Sequence, residues 1–74
     1  MFDRNKFRAK VVEIGITLEE VSKELKINPA TLYRKMSGKS DFSRQEIQDV
    51  RRFLKLDDDE VNEIFFAPKL TQTQ

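Results

Sequence analysis

Residues 17–38 read TLEEVSKELKINPATLYRKMSG and contain two helix start signals. Thr17 followed by Glu20 matches the capping box, in which the hydroxyl and the carboxylate each bond a free backbone N–H. Asn28 followed by Pro29 is a second start, because asparagine is a good cap and proline suits the first helical position. The stretch therefore predicts two short consecutive helices.

The connection between these two helices consists of Lys26 and Ile27 alone. A link this short holds the second of the two helices at a steep, fixed angle to the first. Ser22 supplies the small side chain that the crossing of the helices requires, while Leu25 and Leu32 supply apolar contacts beside the turn. This arrangement is typical of a helix–turn–helix unit whose outer face remains free.

A further helix precedes this unit. Asp3 can cap a helix of about residues 4–14, and Phe7, Val11 and Ile14 recur on one face of it at the spacing of a buried stripe.

Two more helices follow the unit. Capping-box patterns begin at Ser43 and Asp57, and the second of them opens a helix over residues 58–66. The sequence thus predicts one all-α domain of five helices over residues 1–67, followed by a frayed tail over residues 68–74.

The composition narrows the possible functions. The chain contains no cysteine and no histidine, so the usual thiolate ligands, imidazole ligands and near-neutral general base are missing, and an enzyme is the weakest hypothesis. Residues 1–40 carry nine Lys or Arg against five Asp or Glu, whereas residues 41–74 carry five against eight. A basic first half favours a polyanionic partner, with solvated surface charge as the alternative.

Residues 17–44 resemble the lambda repressor/Cro-like family of helix–turn–helix domains, which occurs in phage and prophage regulators. The resemblance rests on the two capped helices, the short turn and the Gly38-Lys39-Ser40 loop. It implies a lambda repressor-like five-helix fold, a third helix that enters the major groove of duplex DNA, and a following loop that meets phosphates.

Candidate contact residues follow from helical position and from this resemblance. The third helix, residues 29–37, would present its outward residues to base edges, with Arg34 the strongest candidate because a guanidinium matches the two acceptors of a guanine. The base-reading candidates are Asn28, Pro29, Ala30, Thr31, Tyr33 and Arg34. The phosphate-binding candidates are Thr17, Lys39, Ser40 and Arg44, while Lys6, Arg8 and Lys10 of the first helix are expected to act only through their long-range field.

Three positions depart from the family pattern. Leu18 stands where many members have a glutamine that bonds a phosphate, and Lys35 stands where an apolar residue is common. Lys26 stands where glycine is usual, and it would cost about 1 kcal/mol if its backbone is left-handed.

One module reads few base pairs, so we expect a homodimer on a near-palindromic operator. Ile64, Phe65 and Phe66 are successive apolar residues that one helix face cannot bury together. They predict a dimer interface, and burial of two of them in the core is the alternative.

The leading hypothesis is a cytoplasmic, DNA-binding transcriptional regulator, a phage-type repressor, with no cofactor, metal, membrane or small-molecule substrate indicated. The alternative is a protein-interaction module, such as an antirepressor or antitoxin subunit, that keeps the fold without reading DNA. Leu18 and the apolar Pro29-Ala30 pair favour that alternative modestly. A purely structural helix bundle fits the separation of charge less well.

Overall fold

The computed structural model describes residues 1–67, and every regular element in that range is an α-helix. The helices are α1 (Arg4–Ile14), α2 (Leu18–Glu24), α3 (Pro29–Met36), α4 (Arg44–Leu54) and α5 (Asp58–Phe65). The predicted all-α class and the number of helices are therefore confirmed. The predicted tail, residues 68–74, lies outside the described residues.

All five predicted N-caps form. In each, the side-chain oxygen of the cap residue accepts a bond from the backbone N–H three positions later, which satisfies one otherwise free donor of the first turn. The cap residues are Asp3, Thr17, Asn28, Ser43 and Asp57. Three of them complete a reciprocal capping box, with Glu20, Glu46 and Glu60 as the partners. The starts of the helices are thus fixed locally.

The C-terminal end of α2 reverses the chain within two residues. Lys26 has a φ of 62°, which places it in the left-handed region. Its N–H donates to the Lys23 carbonyl at 3.1 Å, and the Ile27 N–H donates to the Ser22 carbonyl at 3.0 Å. This pair of bonds is the Schellman motif, and it leads directly into the Asn28 cap of α3.

One core joins the five helices. Its members are Phe7, Val11, Val21, Leu25, Leu32, Met36, Val50, Leu54, Leu56, Val61, Ile64 and Phe65. Ser22, the small residue predicted at the crossing of the two helices, is buried, and its hydroxyl donates to the Glu19 carbonyl at 2.7 Å. The predicted inward position of Ile14 is wrong, because its side chain remains 40% exposed at the end of α1.

The N-terminal residues are tied to the end of α5. The Asp3 N–H donates to the Ile64 carbonyl at 2.6 Å, and the Ala67 N–H donates to the Met1 carbonyl at 2.9 Å. Phe2 packs against three other phenylalanines of this region, which are Phe7, Phe42 and Phe65. Within residues 1–67, no helix has the length and apolar character needed to cross a membrane.

The left-handed backbone of Lys26 generates a prediction for stability. Lys26→Gly should raise the free energy of unfolding by about 0.5 kcal/mol, since relief of the steric cost exceeds the extra entropy that glycine gives the unfolded chain. Urea unfolding at neutral pH measures this difference. Lys23→Gly, inside the exposed part of α2, is the matched control and should lower stability by about 1 kcal/mol. Equal losses for both variants would contradict the interpretation.

Candidate nucleic-acid interface

The outer side of α3 is an exposed polar surface. Leu32 and Met36 face the core, whereas Ala30, Tyr33 and Arg34 lie on the opposite side at helical spacing, and the Tyr33 side chain is 51% exposed. Asn28 and Pro29 are exposed at the start of the helix. Five of the six predicted base-reading residues therefore face solvent.

Thr31, the sixth, is half-buried and serves the helix itself. Its N–H donates to Oδ1 of Asn28 at 2.8 Å, and its hydroxyl accepts from an Nη of Arg34 at 3.3 Å. The Asn28 amide N–H₂ group is not used by the cap, because only the carbonyl oxygen accepts. Among residues 1–67, no carboxylate lies within 4.0 Å of the Arg34 guanidinium. Arg34 thus retains donors for a ligand.

The predicted phosphate-binding residues divide into two groups. Lys39, Ser40 and Arg44 are exposed in the loop after α3 and at the start of α4, and neither of the two cations among them forms an ion pair within the described residues. Thr17 is different, because its hydroxyl accepts from the Glu20 N–H and also bonds the Glu20 carboxylate. That hydroxyl is occupied by the capping box and lies beside an acidic first turn, so a phosphate would have to displace the Glu20 carboxylate to bond it.

Lys35 fastens the loop that carries Lys39 and Ser40. Its ammonium group lies 3.0 Å from Oε1 of Glu46 and donates to the Asp41 carbonyl at 2.9 Å. The same group lies 6.0 Å from the centre of the Phe42 ring. The side chains of Lys35 and Glu46 are only 14% and 16% exposed. Lys35 therefore anchors the loop, while Met36 packs in the core.

Several contacts set the charge state of Glu46. Burial alone would raise the pKa of its carboxyl group, but the backbone N–H of Ser43 and the Lys35 ammonium outweigh that effect, so the pKa lies below its ordinary value of 4.5. The carboxylate form is thus stabilised in the folded chain. Because Oε1 of Glu46 also accepts from the Ser43 N–H at 2.8 Å, one carboxylate joins α3, the loop and the first turn of α4.

The basic residues of α1 separate onto two sides of the helix, which the sequence-based prediction of a general field missed. Arg4 and Arg8 line an open depression of about 310 Å³ together with Tyr33, Arg34 and Lys39. Lys6 and Lys10, by contrast, pair with Glu63 and Glu60 of α5. Arg4 and Arg8 are four residues apart, and so are Lys6 and Lys10. Residues at this spacing share one side of a helix, so the sequence could have indicated that the arginines and the lysines lie on different sides.

The predicted dimer interface requires correction. Ile64 and Phe65 are only 3% and 6% exposed and belong to the core of their own chain, as the alternative interpretation expected. They pack where α5 meets α1 and the N-terminal segment, so neither presents a free side chain to a second copy. Phe66, at 60% exposure, is the member of the run that remains on the surface.

Comparison of the chain with models of protein families, with curated proteins and with solved structures found no match in any of the three.

The contacts of Glu46 predict how stability depends on pH. Since its pKa is lowered on folding, its contribution is present above pH 4.5 and is lost as the pH falls through the folded-state value. Glu46→Gln should cost about 1 kcal/mol at pH 7 and should reduce the further loss of stability between neutral and acidic pH. Thermal melts over a pH series measure both effects.

Glu24→Gln is the control for this prediction, because Glu24 is exposed and makes no ion pair within residues 1–67. Its pH profile should run parallel to that of the unmodified chain. If Glu46→Gln gave that same parallel profile, Glu46 would not be the group responsible.

Proposed function

We propose that this chain is a sequence-specific, double-stranded DNA-binding transcriptional regulator of the lambda repressor-like helix–turn–helix class, which inserts α3 into the major groove. The observation that carries the proposal is the exposed stripe of α3. Arg34 and Tyr33 project from it, cations flank it, and no carboxylate within residues 1–67 pairs with Arg34.

The dimensions of α3 support this mode of binding. An α-helix with its side chains is about 10–12 Å across, and the major groove of B-DNA is about 12 Å wide. Leu32 and Met36 hold one side of α3 to the protein, so the opposite side can enter the groove without loss of core contacts. Arg34 then offers two parallel donors to guanine, and Asn28 offers its amide group to a base or a phosphate.

The loop after α3 would supply phosphate contacts. Lys39 and Ser40 are exposed immediately beyond the end of α3, and Arg44 begins α4. The Lys35–Glu46 pair anchors the far end of this loop, so the loop is already held in place before binding. Less conformational entropy would then be lost when Lys39 and Arg44 contact phosphates.

The resemblance to phage and prophage regulators favours repression as the biological role, exerted by a homodimer on two half-sites. Phe66 is the exposed apolar residue at the end of α5 that would contribute to the dimer contact in this proposal.

One observation favours a second candidate, a protein-interaction module of the antirepressor or antitoxin type. The first turn of α2 carries Glu19 and Glu20, whose charges would repel a phosphate at that helix end. The first turn of α3 also exposes apolar Pro29 and Ala30, which suit a protein surface as well as a thymine methyl group.

Selection of bound sites from a pool of random duplexes tests the main proposal. We expect enrichment of a short motif, with a dissociation constant that rises steeply with salt because bound phosphates release counterions. Random duplex of equal length is the control and should bind more weakly. Absence of enrichment together with an unmeasurable affinity at low salt would exclude DNA reading and favour the protein-interaction module.

Arg34→Ala should weaken binding to the selected duplex by roughly 10- to 100-fold and should blur the preference at one base pair, while binding to random duplex changes little. Titration of both duplexes measures the contrast. Lys39→Ala is the matched comparison, since loss of a phosphate contact should weaken both duplexes alike and should flatten the salt dependence. An equal loss on both duplexes for Arg34→Ala would remove Arg34 from the base-reading residues.

A further inference from the structure

Arg4 and Arg8 occupy one side of α1 and share a surface depression with the second half of α3. They line it with Tyr33, Arg34 and Lys39, so four cationic side chains converge on one region from two helices and a loop. Within residues 1–67, none of these four cations lies within 4.0 Å of a carboxylate. Like charges brought together without counter-charges repel one another, and an anion placed among them relieves that repulsion.

The position of Arg4 gives an independent indication that it serves a ligand. It is the first residue of α1, and the first turn of that helix contains no acidic residue. A cation at a helix N-terminus interacts unfavourably with the helix dipole, so Arg4 does not help α1 to form. Arg4 also has no carboxylate partner within residues 1–67, so its guanidinium remains available to a ligand.

The other two cations of α1, Lys6 and Lys10, pair with carboxylates of the same chain instead. Lys10 bonds Glu60, and this contact raises the pKa of its ammonium group, while Lys6 lies 4.0 Å from Glu63. Both lysines therefore have a carboxylate partner on α5. Each of the two sides of α1 carries two cations, so the number of cations does not explain why only Lys6 and Lys10 have carboxylate partners.

We propose that Arg4 and Arg8 bind the phosphodiester backbone of duplex DNA beside the groove that α3 enters. This inference rests on the proposed function and adds α1 to the interface. A helix that fills the major groove lies between two rows of phosphates, so side chains flanking it can reach the backbone. Arg4 and Arg8 are one helical turn apart, with Cβ atoms about 5–6 Å from each other, and can bind neighbouring phosphates of one strand.

Arginine suits this task better than lysine. Its planar guanidinium offers parallel donors that match two phosphate oxygens, and it sheds its hydration more readily than an ammonium group. The arginines of α1 lie on the side of the depression and its lysines lie on the side of α5, which is the distribution that phosphate binding favours.

The salt dependence of binding by the whole chain tests the proposal. The probes are the selected duplex and a random duplex of equal length, titrated between about 50 and 200 mM salt. Arg4→Ala/Arg8→Ala should weaken both complexes by roughly tenfold or more and should lower the slope of log affinity against log salt by about two. Lys6→Ala/Lys10→Ala removes the same charge from the same helix and should leave the slope near that of the unmodified chain.

A purely structural role would give a different result. Arg4→Ala should leave the melting temperature unchanged or slightly raised, because it removes an unfavourable charge from the start of α1. If the double variant does not fold, the single variant Arg8→Ala can be used instead. It should lower the slope of log affinity against log salt by about one.

Two further outcomes would contradict the proposed role of Arg4 and Arg8. If the arginine and lysine doubles change the slope equally, α1 acts only through its field and the inference is wrong, although losses caused by Arg34→Ala and Lys39→Ala would still support DNA binding. If the unmodified chain binds no duplex, this inference and the proposed function fail together.

Discussion

The reversal of the chain at Lys26 is the constraint on which the exposed surface depends. The Ile27 N–H reaches back to the Ser22 carbonyl, and Asn28 caps the next helix one residue later, so the chain has no free length in which α3 could change its direction. Ser22 of α2 is buried, and a larger side chain there would disturb the packing of α2 against its neighbouring helices. Since α3 packs mainly on α2, the elbow and this packing together set which residues of α3 face outward.

A second fixed point lies beyond α3. Lys35 binds both the Asp41 carbonyl and Glu46, and Phe42 packs against Phe2 and Phe65. The exposed loop is therefore held at each end, by α3 on one side and by this ionic and aromatic contact on the other. Removing one partner of such a poorly exposed ion pair leaves the other without its counter-charge, and the intact pair restricts the geometry of the loop. The main structural role of Lys35 is therefore to position the loop after α3.

The local features of this fold were predictable from the sequence, and the features that depend on tertiary packing were not. Caps such as Asn28 and Asp57 act over three residues, so they could be read directly. Ile14 fits the apolar spacing of α1 but is the last residue of that helix and stays 40% exposed, which periodicity alone cannot predict. The four-residue spacing places Arg8 and Lys6 on different sides of α1, but only the placement of α5 shows which side finds carboxylate partners.

The placement of α5 also explains how a chain of net charge +1 can present a strongly positive face. Glu60 and Glu63 pair with the lysines on one side of α1, and Asp58 pairs with Arg51 of α4, so these acidic side chains of α5 each have a cation nearby. Within residues 1–67, the four cations around the depression between α1 and α3 have no such carboxylate partner. At physiological ionic strength the field of a charge fades within about 8 Å, so a polyanion approaching α3 responds to these local cations rather than to the sum over the chain.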